Sequence, residues 1–303
     1  MTVPAERRLV ITGVPIDCVS APAADSAAFG TELAPGALRE AGLAAVVGAA
    51  DAGDLPVRLV GRARDPGTGI VGWPSVQDLT SAVRFQAREI LAGGGIPVMV
   101  GGCCTLLPGA LAGARDCLGR LGLAYVDGHL DTYDGQTSPT GEAADMPVSV
   151  ISGHGPEAWS RHVGAPLVGP GQLTLLGPRD RAEAATLGSA LPEDCGLDAE
   201  LGPAQLRAQG MAAAGRGAAG RLARRAGRYW LHLDVDVLSE DVFPATDYLM
   251  PGGLDLAELR ELIEPLVARP ELAGMSLGCY NPSKDADGSG AEALVRLFRG
   301  LLS

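Results

Sequence analysis

Two short acidic clusters dominate the chemistry this chain could perform: Asp127-Gly-His129-Leu-Asp131 and Asp234-Val-Asp236. Each follows an apolar run, Leu123 to Val126 and Leu231 to Leu233, that reads as a buried strand. In extended chain, residues i, i+2 and i+4 point to one side, so each cluster can converge if the backbone stays extended there. Carboxylates crowded around an imidazole repel one another unless cations hold them. Hard oxygen donors with one imidazole suit divalent manganese, with zinc, iron and nickel as competitors. A lone Asp-x-Asp at a strand end is ordinarily a turn or a helix cap. Two such clusters, each behind an apolar run, point to a two-metal site.

The elements that must position these residues alternate along the chain. Apolar, β-branched runs bounded by Gly or Pro recur at Leu9 to Val14, Pro97 to Val100, Leu123 to Val126, Leu173 to Leu176, Tyr229 to Leu233 and Gly274 to Leu277. Helical periodicity fills the gaps. Ser75 to Leu91 opens on a capping-box-like Ser75-x-x-Asp78 and ends at Gly93. Asp255 to Val267 opens on Asp255-x-x-Glu258 and carries Leu256, Leu259, Ile263 and Leu266 on one face, with Pro265 expected to kink it or end it early. This order predicts an α/β domain with a mostly parallel sheet covered on both sides. Ligands of such sheets bind at the carboxyl ends of the strands, where both clusters fall. Gln209 to Arg228 reads as an exposed helix weakened by glycines, inside a candidate mobile segment over residues 180–228.

Composition narrows the class. The 303 residues, 47% hydrophobic with a mean hydropathy of +0.17, can bury one large core and read as a single domain over 1–303. No apolar run approaches the roughly eighteen residues of a membrane span, and the N-terminus has no signal-peptide pattern. The six cysteines have no disulfide-framework spacing, and Cys103 and Cys104 are adjacent, which points to a reduced cytoplasmic protein. A net charge of −12 argues against nucleic acid or an anionic membrane as partner and is compatible with a cationic small molecule. No nucleophile elbow, P-loop or Rossmann glycine fingerprint is present.

In order along nearly the whole chain, the motifs resemble those of the ureohydrolase family of arginases and agmatinases. Ala34-Pro35-Gly36-Ala37-Leu38-Arg39 resembles its GP-x-x-LR element, Gly53-Asp54-Leu55 its GDL, and Val100-Gly101-Gly102-Cys103-Cys104-Thr105 its GGDHS. Asp127-Gly-His129-Leu-Asp131 is similar to DAHxD, Gly177-Pro178-Arg179-Asp180 to G-x-RD, Asp234-Val-Asp236 to the start of DxDxxDP, and Tyr280-Asn281-Pro282 to E-x-NP. The resemblance implies a three-layer α/β/α, arginase-like fold with a dinuclear manganese centre that activates water. It also implies ligand roles: Asp127 and Asp234 bridging, Asp131 completing one site, His129 and Asp236 the other. A homo-oligomer and a small-molecule substrate are implied as well.

Three departures bear on metal and substrate. Cys104 stands where GGDHS has its histidine ligand; a thiolate there adds charge and softness and helps zinc or iron compete with manganese. Some members from antibiotic pathways also carry cysteine at this position, so Cys104 is assigned as the sixth metal ligand, with core packing as the competing reading. Cys103, in place of the motif aspartate, reads as packing. Ala144 falls where arginase has its proton-shuttle histidine, and Cys279 where the family has the glutamate that holds the guanidinium. A neutral thiol cannot replace that bidentate carboxylate. Arginine and agmatine are therefore not the expected substrates.

Loop residues could compensate. Glu142 is assigned a catalytic role beside Asp131, while Tyr133, Asp134, Asp145, Asp247 and Cys279 are assigned to substrate contact; each carboxylate could equally be a solvated loop residue. His154 and His162 read as loop and surface residues and His232 as strand packing. The expected function is metal-dependent hydrolysis of a C–N bond in a non-arginine amidine, modified guanidine or amide, in bacterial specialised metabolism. The alternatives are a catalytically silent metal-binding member and different chemistry on the same centre.

Overall fold

The structure, a computed structural model, describes residues 8–18, 30–197 and 199–302; the N-terminal signal-peptide reading falls largely outside them. Eight parallel strands form one sheet: β1 Leu9–Val14, β2 Ala50–Asp54, β3 Ile96–Gly101, β4 Gly122–Val126, β5 Leu173–Leu176, β6 Glu200–Leu201, β7 Tyr229–Asp234 and β8 Leu272–Gly278. Their order across the sheet is β2-β1-β3-β8-β7-β4-β5-β6. The chain starts at β1, adds β2 at the edge and β3 on the inner side, then builds outward through β4, β5 and β6 to the other edge; β7 and β8 fill the gap between β3 and β4. That gap is the topological switch point, where α/β sheets bind ligands beyond the strand ends.

Side-chain alternation divides the core in two. Leu9, Ile11, Val98, Val100, Leu231 and Leu233 face one helical layer that includes the helices Met211–Ala226 and Leu256–Val267. Val10, Met99, Leu123, Tyr125, Leu173 and Trp230 face the other, which includes the helices Trp73–Ala92 and Leu107–Leu118. The architecture is three-layer α/β/α. Among the described residues no helix is long and apolar enough to cross a membrane.

All six runs expected as strands are strands. The two strands without an apolar run, β2 and β6, are the sheet's edges. Ala50–Asp54 is largely exposed, and an edge can hold backbone pairing to one neighbour without an apolar side-chain signal.

Helix starts are mixed. Asp255 and Glu258 form the expected capping box, and the helix runs through Pro265 to Val267. The expected box at Ser75 is absent. That helix begins at Trp73, behind a left-handed Gly72, and Ser75 Oγ instead accepts from the Val60 N–H at 2.8 Å. The segment over 180–228 is organised as the helices Arg181–Thr186, Pro203–Gln209 and Met211–Ala226 together with β6. In the last helix Met211, Ala214, Gly215, Ala218, Ala219 and Leu222 are buried. A Cβ on Gly215 would stand 2.2 Å from the carbonyl oxygen of Leu262, so the glycine that costs helix propensity permits close helix packing.

Candidate metal centre

Strand register assembles the site. Met99 on β3, Ser276 on β8, His232 on β7 and Tyr125 on β4 are register partners in turn across the four central strands. Two residues further along lie Gly101, Gly278, Asp234 and Asp127, on the same side of the sheet and at its carboxyl edge. The strands stop there, and both acidic clusters turn.

The turns overrule the expectation of extended chain. Asp127 Oδ1 accepts the His129 N–H at 2.7 Å, and Asp234 Oδ1 accepts the Asp236 N–H at 2.8 Å. Val235–Val237 is a 3-10 turn, and Asp131 has φ +50°. The turn reading and the ligand reading of Asp-x-Asp are thus compatible. Oδ1 of each leading aspartate ties the turn, leaving Oδ2 to face Cys104, whose Sγ lies 3.7 Å from Asp127 Oδ2 and 2.7 Å from Asp234 Oδ2.

Two donor groups result. Cys104, Asp127, His232 and Asp234 place ligand atoms within 4.8 Å of one another; so do Asp127, His129 and Asp236. Asp127 belongs to both, as a bridging ligand must. His129 Nδ1 stands 2.9 Å from Asp236 Oδ2 and 3.7 Å from Asp127 Oδ1. Asp131 lies at the same pocket floor outside both groups, and its Oδ2 accepts a hydrogen bond from the Tyr125 hydroxyl.

The electrostatics describe carboxylates in want of positive charge. Burial, then the charge of Asp236, lifts Asp127 to about 6. Burial followed by neighbouring carboxylates pushes Asp131 and Asp234 well above the usual range. Burial also pushes Asp236 upward, but His129 and the Gly128 N–H outweigh it and hold that carboxyl low. Burial would depress His129, yet Asp236 and Asp127 raise it well above an ordinary histidine. Burial leaves His232 neutral at physiological pH, with its pKa pushed down to about 3. Shared carboxylates, a thiol and two imidazoles fit two divalent cations, which would relieve this repulsion directly.

The loops above are pinned by Arg179 and Asp180. Arg179 Nη2 donates to the carbonyls of Asp236, Leu238 and Met250 at 2.8 to 3.1 Å, and Asp180 Oδ1 accepts the Leu130 N–H at 3.0 Å. This gives the Gly-x-Arg-Asp motif a physical role, since one dipeptide ties together the two loops that carry the metal donors.

A cavity of about 480 Å³ opens above the donors, lined also by Tyr133, Glu142, Ala144, Asp145, Asp180, Glu183, Asp247, Tyr248 and Cys279. Glu142, almost wholly buried, accepts a hydrogen bond from the Tyr248 hydroxyl. Asp145 accepts from Ser138 Oγ at 2.6 Å, while its Oδ1 is buried with no hydrogen-bond partner among the described residues; burial raises this carboxyl to about 8. Asp247 is engaged by Lys284 at 2.8 Å and Asn281 at 2.7 Å. Asp134 does not line the cavity: its carboxylate accepts the Gln136 and Thr137 N–H groups, each at 2.8 Å, and organises the loop instead. Sequence reasoning missed Asp180 and Glu183 as wall residues and His232 as a candidate donor. The signal for His232 was available, because it stands two residues before Asp234 on one strand face.

The Arginase family model matches residues 7–303. An arginase of Agrobacterium fabrum is 24% identical over 286 residues, 90% of this chain and 85% of that one. An N(omega)-hydroxy-L-arginine amidinohydrolase of Streptomyces lavendulae is 30% identical over 221 residues, 72% of each chain. The native arginase structure from Bacillus caldovelox superposes with a TM-score of 0.85 at 22% identity, covering 98% of both chains. The chain belongs to the arginase family of dinuclear-metal hydrolases, which act on C–N bonds of small amidino and guanidino molecules.

Proposed function

We propose that this protein hydrolyses the amidino C–N bond of a modified guanidine, with free arginine a poor substrate. The observation that carries the reading is Cys279. It occupies the cavity wall where the family motif has a glutamate, and its Sγ faces Cys104 at 3.7 Å. The guanidinium of free arginine loses its bidentate carboxylate there, and the lost charge-assisted pair is worth about 1.5–3 kcal/mol. A guanidine carrying a less basic, hydroxylated or acylated nitrogen needs that carboxylate less. The name of the Streptomyces lavendulae relative, an amidinohydrolase of N(omega)-hydroxy-L-arginine, supports this class.

Two dications held by Cys104, Asp127, His129, Asp234 and Asp236, with Asp131 beside them, would supply a nucleophile from water at neutral pH and polarise the scissile carbon. Manganese suits the oxygen-rich donors, and the thiol of Cys104 favours zinc or iron. The protein's own part is orientation and proton handling. Glu142, Asp180 and Glu183 present an acidic wall with no Lys or Arg among the lining residues, suited to a cationic substrate end. Asp145, held protonated near neutrality, supplies the donor that Ala144 cannot.

The test is urea or substituted-urea release from a panel of L-arginine, agmatine, N-hydroxyguanidines and acylguanidines by metal-loaded protein. Turnover of a modified guanidine at least tenfold above arginine is expected. Arginine as the best substrate overturns the substrate assignment. Full metal occupancy without turnover on any of them favours the silent metal-binding alternative.

A further inference from the structure

We propose that the imidazole of His232 is a direct ligand of the ion held by Cys104, Asp127 and Asp234, restoring from β7, two strands across the sheet, the nitrogen donor lost where Cys104 replaces the motif histidine. The inference rests on reading the site as a metal centre and adds a donor that the sequence motifs do not predict.

Placement comes first. His232 and Asp234 are two residues apart on β7 and point to the same side of the sheet. His232 Nε2 lies 3.1 Å from Cys104 Sγ, and the donor atoms of His232, Cys104, Asp127 and Asp234 all fall within 4.8 Å of one another. Around a zinc ion, S and N ligands at about 2.3 and 2.0 Å in tetrahedral array stand roughly 3.5 Å apart, so seating an ion requires this pair to open by about 0.4 Å.

Orientation comes next. His232 Nδ1 is 2.7 Å from Ser276 Oγ, which also accepts the Trp230 indole N–H at 3.0 Å. A serine oxygen has two acceptor positions. With Nδ1–H donated to the second, the Nε2 lone pair is left facing Cys104. An oxygen acceptor on the far ring nitrogen is the arrangement that orients metal-bound histidines in general. Tyr125 stacks on the imidazole, centroids 4.9 Å apart and planes 19° from parallel, which fixes the ring's tilt. Two departures from the family motifs meet at this ring: Cys104 for the histidine of GGDHS and Ser276 for the aspartate of G-x-D-x-x-E-x-NP.

The consequence is an asymmetric pair. One position gains a sulfur, a nitrogen and two carboxylates, of which Asp127 is shared with the other position, a set that suits zinc. The other keeps His129 and carboxylate oxygen. Asp131, which the resemblance assigns to the first position, accepts a hydrogen bond from Tyr125 through Oδ2, which leaves Oδ1 for the ion.

The experiment uses the full chain reconstituted with zinc. Wild type is expected to bind two ions, and its zinc X-ray absorption spectrum to show an average of one imidazole per ion, from His129 and His232. His232→Asn keeps a polar group toward Ser276 and removes the atom facing Cys104. It is expected to weaken one site more than the roughly 100-fold seen for outer partners, in competition with a chelator, while leaving the other site unchanged. Two unweakened sites in a folded His232→Asn protein overturn the proposal. Should that variant not fold, the wild-type spectrum decides: half an imidazole per ion overturns it. No zinc bound by wild type would overturn the metal-hydrolase reading itself, a different failure.

Discussion

The Sγ atoms of Cys104 and Cys279 lie 3.7 Å apart, although 175 positions separate them in the chain. Cys279 holds a left-handed backbone, φ +64°, and donates its N–H to the carbonyl of Gly102 at 2.6 Å. The two departures from the family motifs, at the metal ligand and at the guanidinium anchor, are therefore one contact. A carboxylate at 279 and a thiolate at 104 would put two negative charges against each other. Paired cysteines avoid that repulsion, because both thiols can stay neutral until a metal claims Cys104.

Two thiols at that separation need little movement to couple. Metal-free protein treated with diamide is expected to form a Cys104–Cys279 disulfide, the two thiols losing two hydrogens to the reagent. Mass spectrometry of unreduced peptides should find the cross-linked pair, and saturating zinc should suppress it. Unprotected cross-linking in the presence of zinc would show that Cys104 is not a ligand.

Cys104→Ser removes the soft donor and keeps the volume. Zinc affinity at one site is expected to fall by at least about tenfold while manganese affinity changes less. Cobalt-loaded wild type should also show a sulfur-to-cobalt charge-transfer band that the variant lacks. Equal cobalt spectra for the two proteins would place the sulfur outside the coordination sphere.

Glu142 is a wall residue with no place among the metal donors. Glu142→Gln is expected to raise KM for a cationic modified guanidine roughly 10- to 100-fold, matching the loss of one charge-assisted hydrogen bond of about 1.5–3 kcal/mol. Metal content should stay at the wild-type value. An unchanged KM would remove Glu142 from substrate contact, and a loss of metal would assign it a structural role.

Asp145 gives the protein a distinctive pH dependence. Burial holds its carboxyl at about 8 in the folded chain, against the ordinary 3.8. Between these values the unfolded chain ionises and the folded chain does not, so this residue's contribution to stability is fully present below pH 3.8 and is lost as pH rises through 8. Asp145→Asn removes that contribution. The unfolding free energy of wild type relative to the variant, measured by denaturant titration, should decline across this window with a slope of at most about 1.4 kcal/mol per pH unit. Parallel curves would mean that Asp145 is ionised in the fold at neutral pH.

The sequence by itself determined the parallel sheet, the six strands with apolar runs and the family. Buried strands need continuous apolar segments, and the acidic clusters had to fall at the strand ends that follow them. It also marked the Cys104 and Cys279 substitutions, because each interrupts a motif. Tertiary structure decided what those positions do. The clusters were expected to stay extended. Their own carboxylates instead capture backbone N–H groups two residues on and turn the chain, and Asp131, beside the donor groups, accepts a hydrogen bond from Tyr125 through Oδ2. Asp134 had the composition of a substrate contact, but loop N–H groups engage it first. His232 read as strand packing because nothing local ties it to Cys104, 128 residues away. Only the pairing of β7 with β4 and β8 sets Tyr125, His232 and Ser276 in one row beneath the carboxylates. Gly102 completes the placement: its carbonyl holds Cys279, and a Cβ there would come within 1.5 Å of the Ile16 carbonyl. Spacing within a strand is written in the chain, whereas register between strands is set by packing, and in this protein the register chose the donors.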